Sequence, residues 1–154
     1  MTDALSQAPT IGIAKTMTEG RFRVPPHQRD YSWTVDEVRE LFEDIEEAIA
    51  KKKDSYFLGL LVLLTGKDRS TILDGQQRLA TLSIFVVAAL HCLNELIAMG
   101  VDPADNKKRI ELLKTAFLGS EHPVTLKTTP KLTLNHANRR FYEGTLLDLQ
   151  TPPS

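Results

Sequence analysis

Cys92 is the only cysteine among the 154 residues, so no internal disulfide can brace the fold and a reducing compartment is expected. It stands inside an apolar run, where a small buried side chain is expected rather than a nucleophile. Neither sign of charge is in excess: 19 basic residues against 20 acidic ones leave a net charge of -1. That excludes a generally basic surface for coating nucleic acid, though not a local basic patch. The four histidines, His27, His91, His122 and His136, have neither helical nor cysteine-paired spacing, which removes zinc-site logic. Gly66-Lys67 is no P-loop, because no glycine stands five residues ahead of it and Asp68 takes the place of the hydroxyl residue that would hold magnesium. The charged, then apolar, then small-residue order of a secretory signal is also missing from the N-terminus, so the chain is expected to be soluble and cytoplasmic, with no membrane partner.

What is present suits one globular domain. Hydrophobic residues make up 42% and charged residues 25% of a length that can bury a real core. Residues 1–10 read as a flexible lead, residues 11–149 as the domain, and residues 150–154, with two prolines, as a linker or truncated end. Strand-like and helix-like runs along the chain predict an α+β fold.

Ile11 to Met17 fits a short helix or a strand, and Arg21 to Val24 a short strand. Thr34 and Glu37 form a capping box ahead of an amphipathic helix to residue 50, with Val35, Val38, Leu41, Phe42, Ile45, Ala48 and Ile49 on its apolar face. Tyr56 to Thr65 reads as a buried strand turning at Gly66-Lys67-Asp68 into a second strand, Arg69 to Leu73. Leu79 to Met99 has no proline or glycine and one formal charge, Glu95, and predicts a long buried central helix. It is long enough to span a bilayer, but Arg78, His91, Asn94 and Glu95 favour a core helix. A further helix is expected from Asp102-Pro103 to about Phe117, then a loop over Gly119 to Pro130. A short strand or extended lead over Lys131 to Leu134 and a helix from about Ala137 to Leu149, with Phe141, Leu146 and Leu149 inward, complete the chain.

Two polar stretches stand out. Asp74-Gly75-Gln76-Gln77-Arg78 lies between a strand and the long helix; Asp74 is expected to cap that helix and Gly75 to allow a sharp turn. The helix N-terminus would favour an anion, and Arg78 adds a cationic fork at the same corner. The other stretch, Pro25 to Trp33, offers the amide of Gln28, the guanidinium of Arg29 and the rings of Tyr31 and Trp33. Two readings of it stay open: a ligand-holding loop, or aromatic residues plugging the core with Arg29 paired to a carboxylate.

Val24-Pro25-Pro26-His27-Gln28-Arg29-Asp30-Tyr31-Ser32-Trp33, then Tyr56-Phe57-Leu58-Gly59, then Ile72-Leu73-Asp74-Gly75-Gln76-Gln77-Arg78-Leu79 resemble the successive motifs of the N-terminal domain of GmrSD-type restriction endonucleases. Lys131 to Leu134 and Asn138-Arg139-Arg140-Phe141 resemble a later, weaker motif. His27, Ala80 and Asn138 depart from the residues the family often has there. The resemblance implies a fold related to ParB and sulfiredoxin, a small mixed sheet packed with several helices. It also implies a domain that binds and hydrolyses nucleoside triphosphates and so controls a DNA-cutting domain elsewhere, in defence against phage with modified DNA. By the same resemblance Asp74, Gln76 and Gln77 are the expected catalytic residues, with Asp74 also the candidate ligand for Mg2+. Gln28, Arg29, Tyr31, Trp33, Gly75 and Arg78 are the expected nucleotide-binding residues. The rival expectation is a module that binds DNA, or senses its modification, without hydrolysis. No nuclease motif of the family occurs in this chain.

Overall fold

A computed structural model describes residues 9–147. In chain order its elements are α1 (Ile13–Glu19), β1 (Phe22–Arg23), α2 (Val35–Ala50), β2 (Val62–Leu64), β3 (Ser70–Asp74), α3 (Gln76–Ala98), α4 (Pro103–Leu113), β4 (Gly119–Glu121), β5 (Thr128–Pro130), β6 (Leu132–Thr133) and α5 (His136–Phe141). Single π-helical turns, Lys114–Leu118 and Tyr142–Leu146, extend α4 and α5.

The main sheet has the order β2-β3-β1-β6 and is mixed, as expected of an α+β chain. β1 is parallel to both neighbours, with Phe22 opposite Ser70 and Leu132, and Arg23 opposite Thr71 and Thr133. β2 joins the outer side of β3 antiparallel. Because β1, β3 and β6 point the same way, the chain leaves all three at one end of the sheet. The residues that follow them, Val24 onward, Gly75-Gln76 and Leu134-Asn135, are therefore neighbours in space. Open sheets with parallel strands place ligand sites at this end.

Core packing holds that end in place. Phe22 and Val24 of the β1 region, Ile72 of β3 and Leu132 of β6 are buried with Leu79, Leu82, Val87 and Leu90 of α3. Each such side chain contributes about 1.5–3 kcal/mol of burial free energy. All eight buried residues of α3 lie between Gln77 and Leu90; beyond them Cys92, Leu96 and Met99 are exposed. Cys92 is thus no buried filler, since it lies beyond the part of the helix that the core covers. α3 is also long and apolar enough, by length and composition, to cross a membrane. Its first part lies in the core of this domain.

Several expected elements change form. The Tyr56 to Thr65 run is not a buried strand: only Val62–Leu64 pairs, all three residues are exposed, and Gly59 at φ +112° breaks the extended path before them. Among the described residues β2 pairs with β3 alone, at the edge of the sheet. On α2 only Leu41 is buried, while Val35 and Ile49 are 69% and 72% exposed and Phe42 rests edge-to-face on Phe85 at 5.7 Å. The helix touches the domain along a stripe narrower than its apolar face.

Residues 119–130 are a β4/β5 hairpin rather than a loop, as their β-branched threonines permit. Where α5 runs into the π turn the buried position is one residue later than expected, while Leu146 is buried as expected. Tyr142 is buried at 1% exposure and Phe141, expected inward, is 45% exposed. Burial pushes the Tyr142 phenol up to about 12, partly offset by the nearby Ser83 hydroxyl, yet among the described residues its oxygen makes no hydrogen bond of ordinary geometry. Leu149 and the expected linker lie outside the described residues.

Lys131 fastens three segments. Its ammonium donates to the carbonyls of Thr18 and Ala116, and at 3.5 Å to that of Met17, while its backbone N–H donates to Leu118. Lys131→Met should lower unfolding free energy by about 1–3 kcal/mol, as expected for charged hydrogen bonds to otherwise unpaired carbonyls, measured by denaturant titration.

The capping box of α2 forms as expected, with the Glu37 carboxylate accepting from the Thr34 hydroxyl and, at 2.6 Å, from its N–H. These bonds, the hydroxyl first, hold the Glu37 carboxyl below its ordinary range. A depressed carboxyl adds stability above its unfolded pKa and loses it as pH falls through the folded one. Melting curves of the natural chain and Glu37→Gln should therefore differ at neutral pH, with Glu37→Gln the less stable, and converge below the ordinary glutamate range.

Candidate functional site

The loop after β1 has little regular structure of its own, and its carbonyls are satisfied by side chains. Asn135 Nδ2 donates to the Gln28 carbonyl at 3.2 Å, Gln76 Nε2 to the Arg29 carbonyl at 3.1 Å, and Gln77 Nε2 to the Asp30 carbonyl at 3.0 Å. Three successive carbonyls are thus each held by a different amide. Gln77 Oε1 also accepts from the Ser32 N–H at 2.9 Å, so both ends of that buried side chain grip the loop. Asn135 bonds the Asp30 carboxylate at 2.6 Å, and Asn138 donates to Asn135 Oδ1 at 3.0 Å. Gln28 closes the far side by donating to the Leu73 carbonyl at 3.0 Å.

Between the held loop and the start of α3 lies a polar cleft of about 390 Å3. Eight of the nine residues singled out in the sequence line it: Gln28, Arg29 and Trp33 from the loop, and Asp74, Gly75, Gln76, Gln77 and Arg78 from the turn and helix. Tyr31 is the exception. Its hydroxyl bonds Thr81 Oγ1 at 2.7 Å, and the residue packs against the core.

Asp74 does not cap α3. The N-cap is Gly75, in the left-handed region at φ +92°, and no side chain caps the first turn. A side chain at Gly75 would also sit 2.9 Å from the Leu60 carbonyl, so glycine alone suits the turn. The uncapped turn leaves backbone N–H groups and the positive end of the helix dipole facing the cleft.

Arg78 lies over the Trp33 ring, 5.9 Å from its centroid. Among the described residues no carboxylate lies within ion-pair distance of Arg29 or Arg78, so of the two open readings the one that pairs Arg29 with a carboxylate is not what forms. Asp74 is exposed at the mouth, and its carboxylate makes no hydrogen bond among the described residues. No group of three or more His, Cys, Asp or Glu side chains gathers among the described residues. One carboxylate completed by phosphate and water oxygens is a donor set that suits Mg2+ and not zinc.

The stretch of sequence that carries these polar residues is matched by a known family. Residues 12–150 match the family described as GmrSD restriction endonuclease, N-terminal domain. The chain belongs to this family. Its place is therefore in a restriction system, a defence against phage. No curated protein matches the chain.

In this GmrSD N-terminal domain two contributions escaped sequence reasoning. Asn135 belongs to none of the stretches singled out in the sequence, and the parallel pairing of β6 with β1 brings it to Gln28. Gly59 had no assigned role. A Cβ at Gly59 would overlap the Arg78 guanidinium, so this glycine makes the room in which Arg78 lies against Trp33. Its φ of +112° forbids the replacement on backbone grounds as well. Gly59→Ala should cost about 1–3 kcal/mol of stability and move Arg78 off the ring. Because Trp33 is the only tryptophan, a shift in intrinsic fluorescence reports that movement directly.

Proposed function

We propose that the cleft binds a nucleoside triphosphate, hydrolyses it, and through its nucleotide state governs a nuclease domain of the same restriction system acting on modified DNA. The observation that carries this reading is the convergence on one polar cleft of an uncapped helix N-terminus and two guanidinium groups that have no ion-pair partner among the described residues. An anion with several charges is what such a corner favours. Arg29 and Arg78 neutralise the phosphates, Gly75 lets them approach the backbone, and Gln28 and Trp33 form the walls. Asp74 is the residue that would hold Mg2+. Bound there, the ion would supply charge stabilisation for the phosphates being separated.

Phosphoryl transfer needs placement and charge stabilisation more than a strong nucleophile, and this chain supplies both. Gln76 and Gln77 act first by position, since their amides fix the loop that carries Arg29. Gln77 is fully engaged in that task, and Gln76 keeps one free acceptor. The reading goes with a ParB/sulfiredoxin-type domain in the cytoplasm, away from membranes.

Purified chain with Mg2+ and each triphosphate should release phosphate and bind nucleotide with a change in Trp33 fluorescence. Arg78→Ala should keep the fold by circular dichroism and lose roughly 10- to 100-fold in affinity, the worth of one or two charged hydrogen bonds. Unaltered affinity in a folded Arg78→Ala protein defeats the proposal. Retention of modified DNA without any triphosphate binding would establish the cleft as a DNA-sensing module instead.

A further inference from the structure

The main sheet has a second face, turned away from the core. Phe22, Ile72 and Leu132 point inward and are buried, so by the alternation of a strand Arg21, Arg23, Arg69, Thr71 and Thr133 belong to the opposite face. Strand pairing gathers them. Arg23 stands opposite Thr71 on one side and Thr133 on the other, and the Arg21 carbonyl accepts from the Ser70 N–H, next to Arg69. Arg21 and Arg23 are exposed, and Arg69 is half-buried.

Hydrogen bonds fix two of these three guanidinium groups against the sheet. Arg23 Nε donates to Thr71 Oγ1 on β3 at 2.9 Å. Arg69, at the foot of β3, donates through Nη1 to Thr133 Oγ1 on β6 at 2.5 Å, and because β1 lies between those strands its side chain crosses β1. It passes there beside Arg21 and Arg23, the outward residues of β1. Each threonine takes one of the five donors of a guanidinium, so most of the array is left for another molecule.

Among the described residues no carboxylate lies within ion-pair distance of any of the three. Like charges stand near them instead: burial, and then the nearby Arg21, hold the Lys131 ammonium below its ordinary range. A patch of one sign with no internal counter-charge suits a polyanion. None of the outward residues named on β1, β3 and β6 is aromatic, so an unpaired base finds no ring to stack on and single strands are disfavoured. Exposed Leu64 and Leu73 stand at the margins of the patch, whereas a protein interface places apolar side chains at its centre and charge at its rim. The evenly spaced phosphates of a duplex match a flat, fixed set of guanidinium forks.

We propose that this open sheet face, through Arg21, Arg23 and Arg69, binds the phosphate backbone of duplex DNA without regard to sequence. None of the three lines the cleft, so the contact does not depend on what the cleft holds. The domain meets DNA with one face of its sheet and keeps the cleft, at the ends of the strands, for a separate ligand.

The test is fluorescence anisotropy of a short, labelled, unmodified duplex with the full chain and no triphosphate. Three phosphate contacts give an affinity that falls roughly 40-fold between about 50 and 200 mM salt. Arg21→Gln, which disturbs neither threonine bond, should lower the slope of log affinity against log salt by about one. Arg21→Gln/Arg23→Gln/Arg69→Gln should lose at least about 10-fold in affinity at the lowest salt and keep its melting curve, since glutamine can still donate to each threonine. No duplex binding by the natural chain at the lowest salt, or natural affinity and slope in the variants, overturns the proposal. Binding lost in Arg29→Gln/Arg78→Gln and kept in the triple variant overturns it too, by placing the DNA in the cleft. Salt-sensitive self-association without duplex binding, abolished in the triple variant, would give the face to an acidic surface of a second copy and overturn it as well.

Discussion

Three amide side chains gripping three consecutive carbonyls are the contact on which this domain's site depends. The segment from Gln28 to Ser32 forms no ladder, so its backbone groups need partners from elsewhere. Asn135, Gln76 and Gln77 supply them with neutral donors that add no charge to the cleft. An arginine or lysine could donate as well, but would compete with Arg29 and Arg78 for any anion. Neutral amides fix the loop and leave the two guanidinium groups as the cleft's cations.

The grip works because three parallel strands end together. β1 delivers the loop, β3 delivers Gly75 and the start of α3, and β6 delivers Asn135 at the N-cap of α5. That N-cap side chain does not cap its own helix; it reaches across to Gln28 and Asp30. The hydrophobic contacts of Phe22, Ile72, Leu79 and Leu132 hold the strands and α3 in the relation that makes such reach possible. Core and site are therefore one construction, in which packing sets the distances and hydrogen bonds use them.

Much of the cleft was legible in the sequence because polar residues crowded at strand-to-helix junctions have few structural reasons to be there. Gln28, Arg29, Trp33 and the Asp74 to Arg78 turn all reach the cleft. Their roles were less legible. Asp74 looked like a cap, yet the left-handed Gly75 occupies that position. Gln77 looked like a catalytic amide, yet its oxygen and nitrogen both close on the loop backbone. Periodicity also overstated burial at Tyr56 to Thr65 and along α2, since a hydrophobic pattern shows which face would prefer cover and not how much cover the neighbouring elements provide.

By itself the sequence determined the α+β class, the absence of a disulfide, the capping box of α2, the order of the main strands and helices, and the family motifs. These follow from local chemistry, in which propensity, turn residues and spacing act within a few positions. Only the tertiary structure decided that Asn135 joins the site, that Gly59 makes room for Arg78, and that Tyr31 turns inward to Thr81. Each depends on contacts between residues far apart in the chain: 107 positions separate Asn135 from Gln28, and 50 separate Tyr31 from Thr81. Local pattern carries no record of such distances, which are set when the strands pair and the core closes.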